Sequence, residues 1–548
     1  MTIKAHIIDV FNRRCYDGAV TVENGRIASI DQTAQVTKDA PFVMPGFVDA
    51  HVHIESSMLL PEEFGRVALR HGTVAAVCDP HEIANVLGVE GVDYMIENSR
   101  RSLMKMCFVA PSCVPSTGFE TAGGNLGVRE IDDLMQRDDI YALGEMMNSV
   151  GVVMGDESVL GKIEAARRAN KPIDGHAPLL TGDNLKRYVA EGITTDHECT
   201  TIDEAEEKLN LGMSILLRSG SAANDFEKLK GLLAYHSEKL MFCSDDKHPD
   251  DLLEGHINRM VRQALACGYP LWNVLWAACV EPVKHYNLPV GLLQIGDSAD
   301  FIVVDNLVDF KVIDVYVGGL NVGQEQPRQD ENNEKGCPNK FERAPLDEAE
   351  IALKYPGGNI RVIGATESSI ITESLIEEPK LSDDGTSVVQ DTERDILKIV
   401  VVNRYDGSAH PQVGFISGFG LRHGAIASTI AHDCHNLIAV GADDSSILLV
   451  LNSLIAERGG IAVCDGEDVD LLPLPVAGLM SHLPAEQVAA DYQRLNRKVS
   501  EFGCPFSSLF MTLSFMALPV IPHLKLTDKG LFDYGSFGFT NLFSRANA

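Results

Sequence analysis

The sequence predicts an α/β protein: a (β/α)8 barrel, a small flanking β-sandwich domain built from two separated segments, and an additional C-terminal α/β domain. Three observations carry this prediction. Eight short apolar segments alternate with helical stretches between residues 46 and 285. Runs of β-branched residues precede that array and return after it. A polar stretch at 321–358 then separates the barrel from further apolar runs at 359–548. A chain of 548 residues is also too long for a single core.

Residues 1–45 hold the strand-like segments "AHIIDV", "AVTVENGRIASI" and "APFVMPG", broken by Asp17-Gly18 and Asn24-Gly25, which are strong turn signals. From residue 46 the rhythm becomes that of a βα repeat. The eight strand candidates are "GFVDAHVH", "GTVAAVCDPHE", "MCFVAPSCVPS", "YALGEMMN", "PIDGHAP", "ITTDHECT", "MSILLRSGS" and "LMFCSDDKH". Amphipathic stretches such as "GDESVLGKIEAARRAN" and "TIDEAEEKLNLG" lie between them, and the length of the array suits a barrel of roughly 250 residues. "IGDSADFIVVDN" and "FKVIDVYVGG", within 286–320, read as strands that rejoin the first 45 residues. The stretch 321–358 is rich in Asn, Gln, Glu and Pro and reads as a linker. "ILKIVVVN", "HNLIAVGA" and "DSSILLVLNSLIAERGGIAVC" open the C-terminal α/β region.

A formal net charge of −32 makes phosphate polymers and anionic membranes poor partners and favours a small neutral or cationic molecule. No apolar run reaches the roughly 18 residues that cross a bilayer. The twelve cysteines are scattered without a CxxC pair, which suits reduced thiols. The first residues show no basic-then-apolar leader, so a cytoplasmic location is expected.

In such a barrel the reacting groups come from the C-terminal ends of the strands. The first strand candidate ends in His51 and His53, the second in Asp79, His81 and Glu82. The fourth carries Glu145, the fifth His176, the sixth His197 and Glu198. The seventh ends at Arg218 and Ser219, the eighth at Asp245 and Asp246. Imidazole nitrogens and carboxylate oxygens suit Zn, Mn or Fe. Alternate residues of a strand share a face, so His51 and His53 can hold one ion together. His176 and His197 can hold a second, with Glu145 between the pairs as a bridge and Asp245 on the first ion. Two ions sharing one water lower its pKa toward neutrality.

These residues carry a resemblance. "PGFVDAHVHIESS", with the later Glu, His, His and Asp at strand ends, is similar to the amidohydrolase superfamily. More narrowly, "DPHEIANVLG", "PSCVPSTGFET", "LGEMMN", "DGHAP", "DHECTT", "FCSDDKHP", "AHDCHN", "PLPVAGLMS" and "TLSFMALPVIPHLKLTDKGL" resemble the bacterial adenine deaminases, from about residue 5 to 533. The resemblance implies a metal-dependent hydrolase barrel acting on C–N bonds of cyclic amidines. It implies deamination of adenine to hypoxanthine and ammonia in purine salvage, by an activated water attacking C6. It implies the ligands His51, His53, Glu145, His176, His197 and Asp245, and two divalent ions per subunit with Mn(II) favoured and Fe(II) or Zn(II) the alternatives; separately, a homo-oligomer, a dimer, is the expected assembly. Single-metal deaminases of the superfamily place a proton-shuttling Glu three residues after the fifth-strand His; here that position is Leu179. Relatives that open cyclic amides bridge their metals with a carbamylated Lys on strand four, where this chain has Glu145. The zinc deaminases with a P-C-x-x-C signature are excluded because no such pair exists.

Asp245 is the expected acceptor of the water proton, with His81 or Glu82 assisting. His81 and Glu82 are equally placed to read adenine's ring nitrogens, or to cap the helix after Pro80. Asp246, Glu120, Arg218 and Ser219 are candidate substrate contacts. The string His432-Asp433-Cys434-His435-Asn436 reads as a pocket element, an oligomer contact or a structural network. The rival functions are another amidohydrolase reaction on a heterocyclic base or cyclic amide, and a non-catalytic assembly protein.

Overall fold

The computed structural model describes residues 1–221, 223–323, 337–367 and 369–544. The chain divides into two compact units. The first comprises residues 1–80, 92–113 and 126–332, and the second residues 81–91, 114–125 and 333–548.

The first unit holds the small β-domain and the barrel. In the β-domain, Thr2–Asp9 pairs antiparallel with Arg14–Glu23, which turns back into Arg26–Asp31. The turn is Asn24-Gly25, both at positive φ (49° and 76°), a conformation Asn and Gly tolerate. Phe42–Pro45 lies between Thr2–Asp9 and Phe301–Val304, so the returning segment rejoins the N-terminal strands in one seven-stranded sheet. Ala5, Ile7, Val20, Val43, Phe301 and Val303 fill its core.

All eight barrel strands fall on the segments read from the sequence: β1 (Phe47–His53), β2 (Thr73–Cys78), β3 (Lys105–Ala110), β4 (Ile140–Met146), β5 (Ile173–Gly175), β6 (Thr195–Asp196), β7 (Ser214–Arg218) and β8 (Leu240–Cys243). β1 to β5 pair in parallel, in order, as do β6 to β8. The Thr194 N–H donates to the Ile173 carbonyl at 2.9 Å and links β5 to β6. The circle closes after β8, where Asp245–Asp246 pairs in parallel with Val52 and His53 of β1. β1, β2 and β7 are buried along their whole length, and β2 accordingly reads as a near-continuous apolar run. The predicted helices form at Glu157–Arg168 and Ile202–Asn210, capped by Asp156 and Thr201.

The second unit is built on a nine-stranded sheet whose central strands include Leu397–Val402, Leu437–Gly441 and Ala425–Ser428. Helix Asp444–Glu457 buries Ile447, Val450, Leu451 and Leu454 against it. Phe341, Leu346 and Ile351 belong to the same core. Residues 337–358, read from composition as the later part of a polar linker, therefore carry packed side chains; three spaced apolar residues suffice to anchor an otherwise polar stretch. Residues 324–336 of that linker lie outside the described residues. The described cysteines are all free thiols, and no helix among the described residues is long and apolar enough to cross a membrane.

Candidate metal centre

β1 carries His51 and His53 to the barrel rim with both rings buried. Their Nε2 atoms face each other at 3.1 Å. His53 is fixed from behind, since its Nδ1–H donates to the Asp79 carbonyl at 3.0 Å and leaves the Nε2 lone pair for the site. Asp245, after β8, brings Oδ1 to 3.5 Å from His51 Nε2 and 3.2 Å from His53 Nε2. Its backbone sits at φ 54°, an uncommon conformation for a non-glycine residue and one found at functional sites.

Glu145, near the end of β4, divides its two oxygens between two groups of histidines. Oε1 lies 3.2 Å from His53 Nε2, while Oε2 lies 2.6 Å from His176 Nδ1 and 3.2 Å from His197 Nε2. His197 stacks on His51, with ring centroids 4.3 Å apart. The ligand atoms of His51, His53 and Asp245 lie within 4.8 Å of one another, as do those of His51, Glu145 and His197. Each of these groupings, which share His51, offers mixed nitrogen and oxygen donors that suit a divalent ion. Two imidazole nitrogens at 3.1 Å, flanked by two carboxylates, need a proton or a cation between them.

The electrostatics favour positive charge here. Burial alone would raise the Glu145 and Asp245 carboxyls, yet the surrounding imidazoles, and Arg218 for Asp245, hold both well below the usual range. Burial opposes charge on His197, but the Glu145 and Asp245 carboxylates raise it to about 9. Metal ions compete with protons for this density.

Several supports are invisible in the local sequence. Asp79 Oδ2 accepts from the Glu145 N–H at 3.1 Å, and a Cβ on Gly144 would meet that oxygen at 2.3 Å, so glycine is required there. Ser112 Oγ donates to the Glu145 carbonyl at 2.5 Å. Tyr188 accepts from the His176 N–H at 3.1 Å and donates to the Met146 carbonyl at 2.9 Å, tying β4 to the residue after β5. Buried Asp49 accepts from the His51 and Ser244 amides and faces His256 Nε2 at 2.8 Å. Neither Tyr188 nor His256 lies at a strand end, and no local motif announces them.

Arg218, read from the sequence as a purine contact, spends both terminal nitrogens on carboxylates. Nη1 donates to Glu198 and, at 2.9 Å, to Asp245 Oδ2; Nη2 donates to Glu198 and Asp225 at 3.1 and 2.9 Å. Glu198 Oε1 also stands 3.6 Å from His197 Nε2. Ser219 donates its N–H to the Cys243 carbonyl at 3.0 Å. Asp246, partly exposed, accepts from Ser56 Oγ at 2.6 Å. Leu179 is exposed.

His81, Glu82 and Glu120 belong to the second unit, where they meet the "AHDCHN" string. His432 Nδ1 lies 2.8 Å from Glu82 Oε1, and His435 Nε2 contacts Glu82 Oε2. His81 Nε2 is 3.5 Å from Glu82 Oε1 and 4.0 Å from Asp433 Oδ1. Burial would raise Glu82, but His432 and His435 hold it well below the ordinary carboxyl range. Glu120 accepts from Ser116 Oγ at 2.7 Å, and burial, reinforced by the Asp433 charge, pushes it up to about 8. The shift favours its neutral form near neutral pH.

Residues 42–322 match the amidohydrolase family, and residues 369–538 match the adenine deaminase C-terminal domain. The adenine deaminase of Salinibacter ruber is 48% identical over 544 residues, 99% of either chain. That of Sulfurovum sp. is 48% identical over 543 residues, 98% of this chain and 99% of its own. Among solved structures, the N-acetyl-D-glucosamine-6-phosphate deacetylase of Mycobacterium smegmatis is 18% identical with a TM-score of 0.46, covering 59% of this chain and 100% of its own. A barrel with histidines and carboxylates gathered at its rim, identity of this depth along the whole chain and the matching C-terminal domain place the chain in the adenine deaminase family of the amidohydrolases.

Proposed function

We propose that the chain catalyses hydrolytic deamination of adenine: water adds at C6, the exocyclic C–N bond breaks, and hypoxanthine and ammonia leave. Within the family, the observation that carries this reading is Glu145, which offers one oxygen to His53 and the other to His176 and His197. His51, His53 and Asp245 would hold one divalent ion and His176 and His197 the other, with Glu145 between them. Bound there, the two ions supply water activation near neutral pH and Lewis acidity. The mixed nitrogen and oxygen donors suit Mn(II), with Fe(II) and Zn(II) as alternatives.

The protein's own groups do the rest. Asp245 accepts the proton released by the attacking water; its imidazole and Arg218 partners keep it in the anionic form that can accept. Arg218 fixes the orientation of that carboxylate through Oδ2. His81 and Glu82 pass protons to the ring nitrogen and the departing amine. Asp246 accepts from the exocyclic amine, Glu120 donates as a neutral acid, and Ser219 contributes a polar contact to the base. The free thiols suit a cytoplasmic enzyme, and a homodimer is the assembly we propose.

Metal analysis combined with ammonia release from adenine tests the reading. Two ions per chain and one ammonia per adenine consumed are expected. A protein with both ions bound that releases no ammonia from adenine would overturn it.

A further inference from the structure

The geometry points to His432 and His435 as positioning residues that lock the Glu82 carboxylate in one orientation for the deamination; this rests on the reading of Glu82 as a proton-handling group. Both oxygens of Glu82 are engaged, Oε1 by His432 Nδ1 at 2.8 Å and Oε2 by His435 Nε2. All three side chains are buried.

The tautomer of His435 follows from its other nitrogen. The Ala431 N–H approaches His435 Nδ1 at 3.3 Å, so Nδ1 accepts and Nε2, the nitrogen in contact with Glu82 Oε2, carries the proton. The backbone N–H of His435 donates to the Ala431 carbonyl at 2.7 Å, which fixes the chain that presents the ring. The His432 ring stacks on Phe515, with centroids 4.6 Å apart and planes 19° apart, and its backbone N–H donates to the Ser514 carbonyl at 3.1 Å. The strand Leu437–Gly441, inside the nine-stranded sheet, begins two residues after His435.

A glutamate has three rotatable bonds, and a proton-transfer group must be held close to its productive geometry. Two anchored imidazoles remove that freedom before substrate arrives. Packing alone gives no reason for this arrangement, because apolar side chains of similar volume commonly serve stability as well as a buried ionic group. The adenine deaminase C-terminal domain thereby supplies the two rings that aim a residue from the segment after β2.

The two nitrogens of His435 allow a selective test. His435→Gln keeps an amide N–H near the Nε2 position, whereas His435→Asn keeps the partner of Ala431 and removes the donor to Glu82. In the full-length, Mn(II)-loaded protein, His435→Asn should lower kcat about 10–100-fold with little change in KM, the scale on which supporting contacts act. His435→Gln should recover most of the rate. At position 432, where Nδ1 makes the contact, His432→Asn should be the milder change and His432→Leu the severe one. In a Glu82→Gln background, His435→Asn should add less than about twofold, because partners in one network are not additive. A wild-type kcat in His435→Asn, or a full additive loss on top of a slow Glu82→Gln, would overturn the positioning role alone. A wild-type rate in Glu82→Gln itself would overturn the reading of Glu82 and the proposal with it.

Discussion

Asp245 turns its two oxygens in opposite directions: Oδ2 accepts from Arg218 Nη1 at 2.9 Å, leaving Oδ1 toward His51 and His53. Arg218 is thereby a buried cation shared by Asp245, Glu198 and Asp225. Removing it takes the guanidinium from Asp245 and Glu198, while Asp225 keeps Lys228 Nζ at 2.9 Å. Arg218→Met should cost about 3–5 kcal/mol of stability, as breaking a buried pair does. It should also weaken retention of the metal on the Asp245 side. Arg218→Lys should be intermediate, since it keeps the charge and loses the planar fork. Thermal melting with metal titration checks both; a wild-type melting temperature and metal content in Arg218→Met would refute the role.

Glu145→Gln tests the bridge. The amide is nearly isosteric but cannot offer an anionic oxygen to each histidine group. The variant should keep its fold, lose at least one of two ions, and fall more than about 100-fold in kcat. Elemental analysis and ammonia release read the two effects separately. Wild-type metal content and rate would make Glu145 a structural residue.

Glu120 sets a pH dependence of stability with a definite sign. Its carboxyl, ordinarily near 4.5, is raised to about 8 in the folded protein. Between those values the folded state holds a proton that the unfolded state lacks, so this contribution is fully present below 4.5 and is lost as pH rises through 8. The slope is about 1.4 kcal/mol per pH unit over that window. Glu120→Gln mimics the neutral acid and removes the slope. Its melting temperature relative to wild type should therefore climb from pH 5 to pH 8 and level off above. A constant difference across that range would show that Glu120 is ionised in the fold.

The candidate metal centre is legible in the sequence because its proposed ligands obey local rules. His51 and His53 alternate on one strand, and Glu145, His176, His197 and Asp245 each sit at or just beyond the end of a parallel strand. Each can be found without knowing any tertiary contact. The supports are of another kind. Arg218 meets Asp225 across a loop, Ser112 reaches the Glu145 carbonyl, and Glu82 meets His432 and His435 from a distant part of the chain. Their spacing carries no periodicity, and only the folded arrangement reveals which charges they balance. Arg218 shows the consequence: an arginine at a strand end reads as a ligand contact until the carboxylates facing it are known. The packed residues Phe341, Leu346 and Ile351 are hidden in the same way by a polar composition averaged over their neighbours.

The free base should be the substrate and its nucleoside a poor one. Adenine is small and flat, and a site that distinguishes it must pair its ring nitrogens and exocyclic amine at close range. Asp246, the pair His81 and Glu82, and Glu120 as a neutral donor are the groups proposed for that reading. A ribose on N9 would displace the base from those contacts and bring three hydroxyls that also require partners. Each buried polar group left unpaired costs on the order of 1–3 kcal/mol, so two lost contacts give roughly 30-fold to 10⁴-fold discrimination. Cytosine, lacking the imidazole ring, should lose at least one contact and fall by at least about 5-fold to 150-fold. The measurement is kcat/KM for adenine, adenosine and cytosine on one Mn(II)-loaded preparation. Asp246→Asn should reduce the preference for adenine while leaving metal content at two ions per chain, because its carboxylate is not among the proposed ligands. Equal kcat/KM for adenine and adenosine would mean that the site is open at N9, and the specificity proposed for these residues would fall even with the metal chemistry intact.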